Sequence, residues 1–225
     1  ILQRMSRAFM AFHHQSSLPV CIITGPTASG KTWLADELAH YVAIEVINAD
    51  VGQFYAAYAI GTAKPDWKNS SYPSHLFDIL TEPVDFSVAA FSRLVQTLVQ
   101  EIHARQHIPV IVGGSFFYIA SLFYPPNAVK ISSEAYAYDY ATVSNKELWM
   151  QLCAIDPERA TAIAVNDRYR ITRALALWTA TGILPSRLQP QFTMPFSQAP
   201  CVTVGIIPSK LIIEERVRAR CEVMF

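Results

Sequence analysis

The chain has 225 residues, of which 52% are hydrophobic and 16% are charged, against about 25% charged residues in an average soluble domain. This composition excludes a disordered chain, a coiled coil and an acidic tail protein. Lys plus Arg and Asp plus Glu number 18 each, so bulk charge does not favour nucleic acid, and any RNA site must be a local patch. No apolar run approaches the roughly 20 residues of a membrane span, so we expect a soluble protein without a membrane partner.

The cysteine pattern indicates a reducing compartment, because it contains no CxxC pair and no cluster with His at zinc spacing. The four cysteines are Cys21, Cys153, Cys201 and Cys221. Residues 1–17 contain Arg4 and Arg7 and no acidic residue, a bias that organelle transit peptides share. We predict a flexible N-terminal tail and a cytoplasmic protein, with a mitochondrial location as the alternative.

The first predicted elements form a strand–helix–strand unit. Residues 19–23 are an apolar run that ends in a glycine-rich turn, the pattern of a buried parallel strand. Apolar positions at helical spacing predict a helix over 31–42, and a second strand is predicted over 44–47. Two parallel strands joined by a helix form a right-handed crossover.

A long amphipathic helix comes next, capped by Ser87. The apolar positions expected on its inner face are Val88, Phe91, Leu94, Val95, Leu98, Val99 and Ile102. Further strands are predicted over 108–112 and 202–207. Because strands alternate with helices, we predict a three-layer α/β fold with a mainly parallel sheet.

The stretch between the last two predicted strands shows helical patterns instead, over 147–155 and 158–181. It predicts a helical insertion subdomain. The expected parts are therefore a flexible tail, an α/β core, the helical insertion, and a return strand and helix of the core, over 1–17, 18–122, 123–200 and 201–225.

The strongest motif lies between the first strand and the first helix and fits the phosphate-loop (P-loop) pattern GxxxxGK[ST] in full. It comprises Gly25, Pro26, Thr27, Ala28, Ser29, Gly30, Lys31 and Thr32. Glycines let successive backbone N–H groups converge on phosphate oxygens, and the helix N-terminus adds a favourable dipole. Lys31 brings a positive charge to the terminal phosphate, and the Thr32 hydroxyl suits Mg²⁺. The motif predicts binding of a nucleotide such as ATP or of a diphosphate, without specifying a reaction.

A second signal lies at the carboxyl ends of the neighbouring strands, where α/β sheets bind ligands. Asp50 follows the second strand, and Ser115 follows the Gly-Gly pair that closes the strand over 108–112. Both are candidates for the same crevice as the P-loop. Taken alone, Asp50 can equally cap the next turn, and the Gly-Gly-Ser segment can be only a turn.

Taken together, these motifs resemble the tRNA dimethylallyltransferases, also called tRNA isopentenyltransferases. The likeness covers nearly the whole chain from about Val20 onward. The stretch Ile-Gly-Thr-Ala-Lys-Pro over 60–65 is particularly specific, because ordinary P-loop kinases lack it. The matching segments, in chain order, are 25–32, 48–55, 60–65, 75–80, 86–91, 109–118, 156–157, 166–167, 170–175 and 181–182.

The resemblance implies transfer of the dimethylallyl group from dimethylallyl diphosphate to the exocyclic N6 amine of the adenosine beside the tRNA anticodon, with release of diphosphate. It implies Asp50 as the general base and Ser115, in place of a family Thr, near the reacting atoms. The P-loop with Mg²⁺ would grip the diphosphate. Arg216 and Arg220 match two family arginines that neutralise the leaving diphosphate or contact tRNA, and we assign Arg216 to the diphosphate.

The expected tRNA contacts are Asp50, Val51, Gly52, Gln53, Ser115, Asn166, Asp167, Arg168, Tyr169, Arg170 and Arg220. Gln53 helps to hold the extruded base by this likeness, and the insertion would contact the anticodon arm. An excess of Arg over acidic residues in the insertion fits this role, and a solvated helix face explains the excess equally well. We expect a monomer.

Several positions depart from the family pattern. Val51 replaces a Ser after the general base, Gly52 is expected to loosen the same turn, and Phe116 replaces a frequent Gly. The chain begins at Ile1 and ends inside a predicted helix, so we expect a fragment that lacks the C-terminal helices of the family and binds poorly or is inactive.

Three alternatives follow. The first is the related class that prenylates free adenine nucleotides (adenylate isopentenyltransferases), which shares the P-loop and the Asp. The second is a P-loop kinase of small molecules, which predicts ATP turnover. The third is a degenerate homologue that binds tRNA without catalysis, which the departures at Val51 and Gly52 motivate.

Overall fold

The computed structural model describes residues 18–82, 84–125, 140–188, 190–196 and 199–224. The chain divides into two compact units, the first comprising residues up to 125 together with 192 onward, and the second comprising 126–191. The second unit is shorter at both ends than the expected insertion over 123–200. Phe123 and Thr193 both belong to the first unit, where the Thr193 amide donates to the Phe123 carbonyl over 2.8 Å. The expected tail over 1–17 lies outside the described residues.

A five-stranded parallel sheet forms the centre of the first unit, with the spatial order β3-β2-β4-β1-β5. The strands are β1 (Val20–Thr24), β2 (Ile44–Asn48), β3 (Ser74–His75), β4 (Ile108–Gly113) and β5 (Cys201–Gly205). The prediction of a mainly parallel sheet is confirmed. The two-residue β3 was not predicted, because it is too short to show a period.

Helices surround this sheet and make up the second unit. They are α1 (Lys31–Ala39), α2 (Val88–Ala104), α3 (Phe116–Phe123), α4 (Asn145–Ile155), α5 (Pro157–Thr161), α6 (Arg168–Thr181) and α7 (Lys210–Met224). The prediction of a single helix over 158–181 is wrong. The Asp167 side chain accepts a hydrogen bond from the Arg170 amide, so α6 starts there as a new helix. Among the helices that the structure describes, none is long and apolar enough to cross a membrane.

The sheet is buried on both faces, which confirms the three-layer α/β fold. Side chains of successive strand residues point to opposite faces: Ile22 packs in the cluster that contains α2, and Ile23 packs in the cluster that contains α1. Ser87 caps α2 as predicted, and its hydroxyl accepts from the Ala90 amide over 3.2 Å. Leu94, expected on the inner face of this helix, is instead 40% exposed. The loops at the carboxyl ends of the strands therefore start from a sheet that is packed on both faces.

At the amino end of β2, a buried carboxylate is held by three basic side chains. Glu45 is 1% exposed, and both of its oxygens accept from Arg105, over 2.7 and 2.8 Å. His75 and His107 lie 2.7 and 2.9 Å from the same oxygens. The hydrogen bond from Arg105 is the main cause that lowers the pKa of Glu45 to about 2, with burial opposing and the two histidines assisting. This cluster ties β2 to β3 and to the start of β4.

We predict that Glu45→Gln lowers the free energy of unfolding at neutral pH by about 2–3 kcal/mol, since charge-assisted hydrogen bonds are lost from a buried site. A carboxyl whose pKa is lowered on folding stabilises the fold above its unfolded pKa. The difference between wild type and variant should therefore shrink as the pH falls from about 4.5 towards about 2. Urea unfolding at a series of pH values measures it, and a difference that does not change over that window contradicts the assignment.

Candidate active site

The P-loop connects β1 to α1 in a strained backbone that glycine makes accessible. Gly30 has φ +99°, which L side chains rarely adopt, and it is the N-cap of α1. A Cβ at Gly25 would lie 2.4 Å from the Ile206 carbonyl oxygen, which no side chain tolerates. The loop therefore takes the compact form in which backbone N–H groups can converge on an anion at the N-terminus of α1.

The Lys31 ammonium lies at the mouth of this loop. Its Nζ donates to the carbonyl oxygens of Gly25 and Pro26, over 3.0 and 2.8 Å. Burial lowers the pKa of Lys31 below its ordinary value, while the charge of Asp50 opposes this shift and that of Arg220 adds to it. The charges that act on Lys31 are thus those of two other predicted site residues.

Ser29 adds an unsatisfied group to the same loop. The residue is 4% exposed, and its Oγ has no hydrogen-bond partner. A buried hydroxyl without a partner is costly, and a bound phosphate oxygen is a suitable acceptor for it. The P-loop therefore fits the phosphate group that the sequence predicts.

Two arginines of α7 reach the P-loop. The Arg216 Nη1 lies 3.4 and 3.3 Å from the carbonyl oxygens of Ala28 and Ser29. The Arg220 Nη1 lies 3.4 Å from Thr27 Oγ1. Both guanidinium groups are therefore beside the loop, and Arg220, predicted as a tRNA contact, lies where it can also neutralise a diphosphate.

Asp50 follows the carboxyl end of β2, on the same rim of the sheet as Lys31. Its backbone amide donates to Asn48 Oδ1 over 2.9 Å, and Asn48, itself 1% exposed, donates through Nδ2 to the Leu76 carbonyl over 3.0 Å. The next amide, that of Val51, donates to Ser115 Oγ over 3.0 Å. The structure thus brings Asp50 and Ser115 together as the sequence predicted.

The carboxylate and the ammonium flank one glycine. A Cβ at Gly114 would lie 3.6 Å from Lys31 Nζ and 3.7 Å from Asp50 Oδ2. Between β2 and β4 the approach is closer still, since a Cβ at Gly113 would lie 2.1 Å from the Ala49 carbonyl oxygen. The Gly-Gly pair thus lets the base candidate and the phosphate-binding lysine share one rim.

The turn after Asp50 is packed more closely than expected. Gly52 was expected to loosen it, but a Cβ there would lie 2.5 Å from Thr62 Cγ2. The absence of a side chain at 52 therefore admits Thr62 against the turn. The side-chain Nε2 of Gln53 donates to the Thr62 carbonyl over 3.2 Å, and this bond fixes the side chain that is predicted to hold the base.

Residues 27–32 of the P-loop and Asp50 line one cleft of about 1230 Å³, large enough for a diphosphate ester together with a nucleobase. Ser115 is not among the residues that line the cleft, and it reaches the site through its bond to the Val51 amide. The walls of the cleft carry Lys31, Asp50, Gln53, Thr62, Arg216 and Arg220. Thr32, the predicted metal-binding residue, lies in the first turn of α1 and also lines it. All of these residues belong to the first unit.

The remaining predicted tRNA contacts lie in the second unit, at the start of α6. The guanidinium of Arg168 is used internally, because its nitrogens donate to the Val143 and Tyr140 carbonyls and to Asn145 Oδ1. The next two residues are exposed: Tyr169 is 62% exposed, and the side chain of Arg170 is 66% exposed. Arg168 is thus placed as a structural residue of this unit, which its sequence context did not reveal.

In the same segment, Asp167 has a local structural role. It caps α6 and lies 3.1 Å from Arg170 in an ion pair one turn apart. Asn166, in contrast, is exposed. The surface that this segment offers to a ligand is therefore carried by Asn166, Tyr169 and Arg170.

A parallel sheet with a P-loop after β1 and an acidic residue after β2, the strand on the far side of β4, defines a P-loop α/β protein whose cleft pairs a phosphate-binding loop with a candidate base. A family model described as IPP transferase matches residues 53–225. The chain belongs to the IPP transferase family.

Curated relatives support this assignment. The chain is 37% identical over 216 residues to tRNA dimethylallyltransferase 2 of Geotalea uraniireducens, covering 93% of this chain and 69% of that protein. It is 34% identical over 215 residues to the tRNA dimethylallyltransferase of Geobacter sulfurreducens, with the same two coverages. The chain thus spans about two thirds of the length of these relatives.

Solved structures share the fold. The tRNA isopentenylpyrophosphate transferase of Bacillus halodurans is 30% identical, with a TM-score of 0.59, and the match covers 92% of this chain and 65% of that one. A eukaryotic dimethylallyltransferase acting on tRNA is 24% identical, with a TM-score of 0.74, over 92% of this chain and 52% of that one. At this identity the second match shows the fold alone.

Proposed function

We propose that the protein transfers the dimethylallyl group from dimethylallyl diphosphate to the exocyclic N6 amine of the adenosine next to the anticodon in tRNA, releasing diphosphate. The observation that carries this proposal is the placement of Asp50 and Lys31 on either side of Gly114. One cleft thus offers a proton acceptor and an anion-binding loop within reach of the same reacting atoms. The names of the curated relatives support the choice of substrates.

The phosphate side of the cleft stabilises the leaving group. As the bond between the allylic carbon and the bridging oxygen breaks, its electron pair passes to the diphosphate, whose added charge must be neutralised. The backbone N–H groups of the P-loop, Lys31, Arg216 and Arg220 supply this neutralisation. The lowered pKa of Lys31 reflects a partly dehydrated ammonium, which interacts more strongly with an anion than one in water.

Mg²⁺ fits this site through oxygen donors, because it retains water and binds substrate phosphates with few protein ligands. The Thr32 hydroxyl is the protein ligand that we assign to it. When bound, the ion supplies positive charge to the phosphate oxygens. The other residues of the P-loop orient the diphosphate by themselves.

The acceptor side of the cleft handles the proton. The adenine amine is a weak nucleophile because its lone pair is delocalised into the ring. As the new bond between nitrogen and allylic carbon forms, Asp50 accepts the amine proton, an effect of about 10²–10⁴-fold in rate. Ser115 and Asn48 accept hydrogen bonds from the Val51 and Asp50 amides, which fixes the backbone at Asp50. The Gln53 side chain, whose Nε2 donates to the Thr62 carbonyl, lines the same cleft, and we assign it to the base edge.

The acceptor adenosine must leave its stack to enter the cleft, as in other enzymes that act on bases. We assign the anticodon-arm contacts of the second unit to Asn166, Tyr169 and Arg170, because an exposed aromatic ring and a guanidinium suit unstacked bases and phosphates. The proposal places the enzyme in the cytoplasm as a monomer that meets its tRNA there.

The test compares acceptors. The protein is incubated with Mg²⁺, dimethylallyl diphosphate and either unmodified tRNA or AMP, and the digested nucleosides are analysed by mass spectrometry. We expect prenylated adenosine from tRNA only. Product from AMP would assign the protein to the free-nucleotide class. Binding of tRNA without product from either acceptor, in this chain and again in a chain extended past Phe225, would contradict the proposed reaction.

A further inference from the structure

The segment over 60–65 is a particularly specific part of the resemblance to the tRNA dimethylallyltransferases. Neither the stabilisation of the diphosphate nor the proton transfer to Asp50 uses its charged group. Its lysine, Lys64, has a side chain only 6% exposed. Lys64 Nζ donates to the Tyr55 carbonyl over 2.8 Å and forms an ion pair with Asp78. Lysine is rarely buried to this degree unless it is paired, so the burial of Lys64 depends on its ion pair with Asp78.

The partner of Lys64 is held in an unusual backbone conformation. Asp78 has φ +54°, in the left-handed region that costs free energy for a residue other than glycine. Its second carboxylate oxygen accepts from Trp67 Nε1 over 3.2 Å, and its amide donates to the Gln53 carbonyl over 3.2 Å. Burial alone would raise the pKa of Asp78, but the hydrogen bonds from Lys64 and Trp67 hold it below its ordinary value.

These bonds join three segments that are separate in the sequence: the turn after β2, the segment around Lys64, and the segment after β3. The turn Val51–Phe54 is bonded on both sides, since the Gln53 side chain donates to Thr62 and the Leu80 amide donates to the Phe54 carbonyl over 2.9 Å. Lys64 and Asp78 form the only ion pair between these segments among the described residues.

We infer that Lys64 is a positioning residue that acts through Asp78 and the Tyr55 carbonyl to hold the Val51–Phe54 turn, and with it Asp50 and Gln53, against the acceptor base. The inference rests on the proposed function. The coupling is direct, because Asp50 is the N-cap of this turn and its carbonyl accepts from the Gln53 amide over 3.0 Å. A shift of about 1 Å in a reacting group can lower a rate by about 10²-fold.

Lys64→Met tests this role, since it keeps most of the aliphatic stem and removes the ammonium. We expect kcat for prenyl transfer to tRNA to fall by about 10–100-fold, while the KM for dimethylallyl diphosphate stays within about twofold, because the P-loop does not contact Lys64. Lys68→Met is the matched control. Lys68 is exposed, lies 5.5 Å from the centre of the Trp67 ring and acts on Asp78 through its charge without a hydrogen bond, so this variant should keep the wild-type kcat.

A second variant separates positioning from stability. Lys64→Met leaves the Asp78 carboxylate partly buried without its cation, and adding Asp78→Asn relieves that cost. We expect the double variant to regain part of the lost thermal stability but to keep the low kcat. Recovery of kcat together with stability would overturn the inference, as would a wild-type kcat in the single variant. Glu45→Gln, which loosens β2 from its other end, serves as a control of similar stability with a normal kcat.

An activity-independent measurement keeps the two proposals apart. Hydrogen exchange at the amides of Gln53 and Asp78 should quicken in Lys64→Met and stay unchanged in Lys68→Met, whatever reaction the cleft performs. Unchanged exchange in both variants overturns the positioning role. If wild-type protein forms no prenylated adenosine but exchange quickens as expected, the proposed reaction fails and the structural part of this inference stands.

Discussion

Asp50→Asn should reduce the rate of prenyl transfer to tRNA by about 10²–10⁴-fold while leaving the Kd of dimethylallyl diphosphate within a few-fold of the wild-type value. The amide keeps the shape of the carboxyl group but cannot accept the amine proton. Donor binding is preserved because the P-loop contacts come from backbone groups, Lys31 and the two arginines of α7. Single-turnover kinetics measure the rate, and titration calorimetry measures donor affinity.

Asp66→Asn is the matched control for this variant. Asp66 lines the same cleft, and its carboxylate accepts a hydrogen bond from the Asn69 side chain over 2.8 Å. It should keep the wild-type rate. Full transfer activity in Asp50→Asn would rule out Asp50 as the general base. An equal loss of rate in Asp66→Asn would show that the rate depends on the net charge of the cleft and not on Asp50 in particular.

Lys31→Met should impair donor binding and catalysis together. The ammonium contacts the diphosphate in the ground state and more strongly as charge develops in the transition state, so we expect kcat/KM to fall by about 10²–10³-fold, with a raised KM for the donor. Steady-state kinetics with varied dimethylallyl diphosphate measure both parameters. This signature differs from that of Asp50→Asn, in which kcat alone should change.

Lys210→Met provides the control, because the Lys210 side chain on α7 is 89% exposed and pairs only with Glu214 one turn away among the described residues. Its removal should change neither parameter. Unchanged donor affinity in Lys31→Met would contradict the phosphate-binding role of the loop, whatever happens to kcat.

Sequence predicted the parts of the site that depend on local order. A P-loop is one continuous segment in which glycines stand where the backbone needs a positive φ and a lysine stands at a fixed spacing. Residues 25–31 can therefore be identified without a structure. Asp50 and Ser115 were predicted because both follow parallel strands, whose carboxyl ends meet at one edge of the sheet. The order of those strands then brings the two residues together through the bond to the Val51 amide.

The parts that sequence did not predict depend on contacts between distant segments. Asn48 holds the Leu76 carbonyl, 28 residues away, and Lys64 pairs with Asp78, 14 residues away. The second contact requires a left-handed backbone at a non-glycine residue, which no pattern indicates. Likewise, the role of Gly52 becomes visible only once Thr62 is packed against it.

The second unit shows the same limit. Apolar spacing alone extended one helix over 158–181, although capping side chains at Asp156 and Asp167 start two separate helices there. Arg168 was predicted as a tRNA contact from the resemblance, but its three internal bonds are to the segment before α4 and the start of α4 itself. Whether an arginine faces solvent or its own fold is set by packing, and its sequence neighbours do not specify it.

We propose that one cleft couples the loss of diphosphate at the P-loop to bond formation at the amine beside Asp50. The most direct measurement follows diphosphate release and prenylated adenosine in the same reaction, with and without tRNA. We expect one diphosphate for each modified adenosine, and almost no release without tRNA. Diphosphate released equally fast without tRNA, or in excess over modified adenosine, would contradict this coupling.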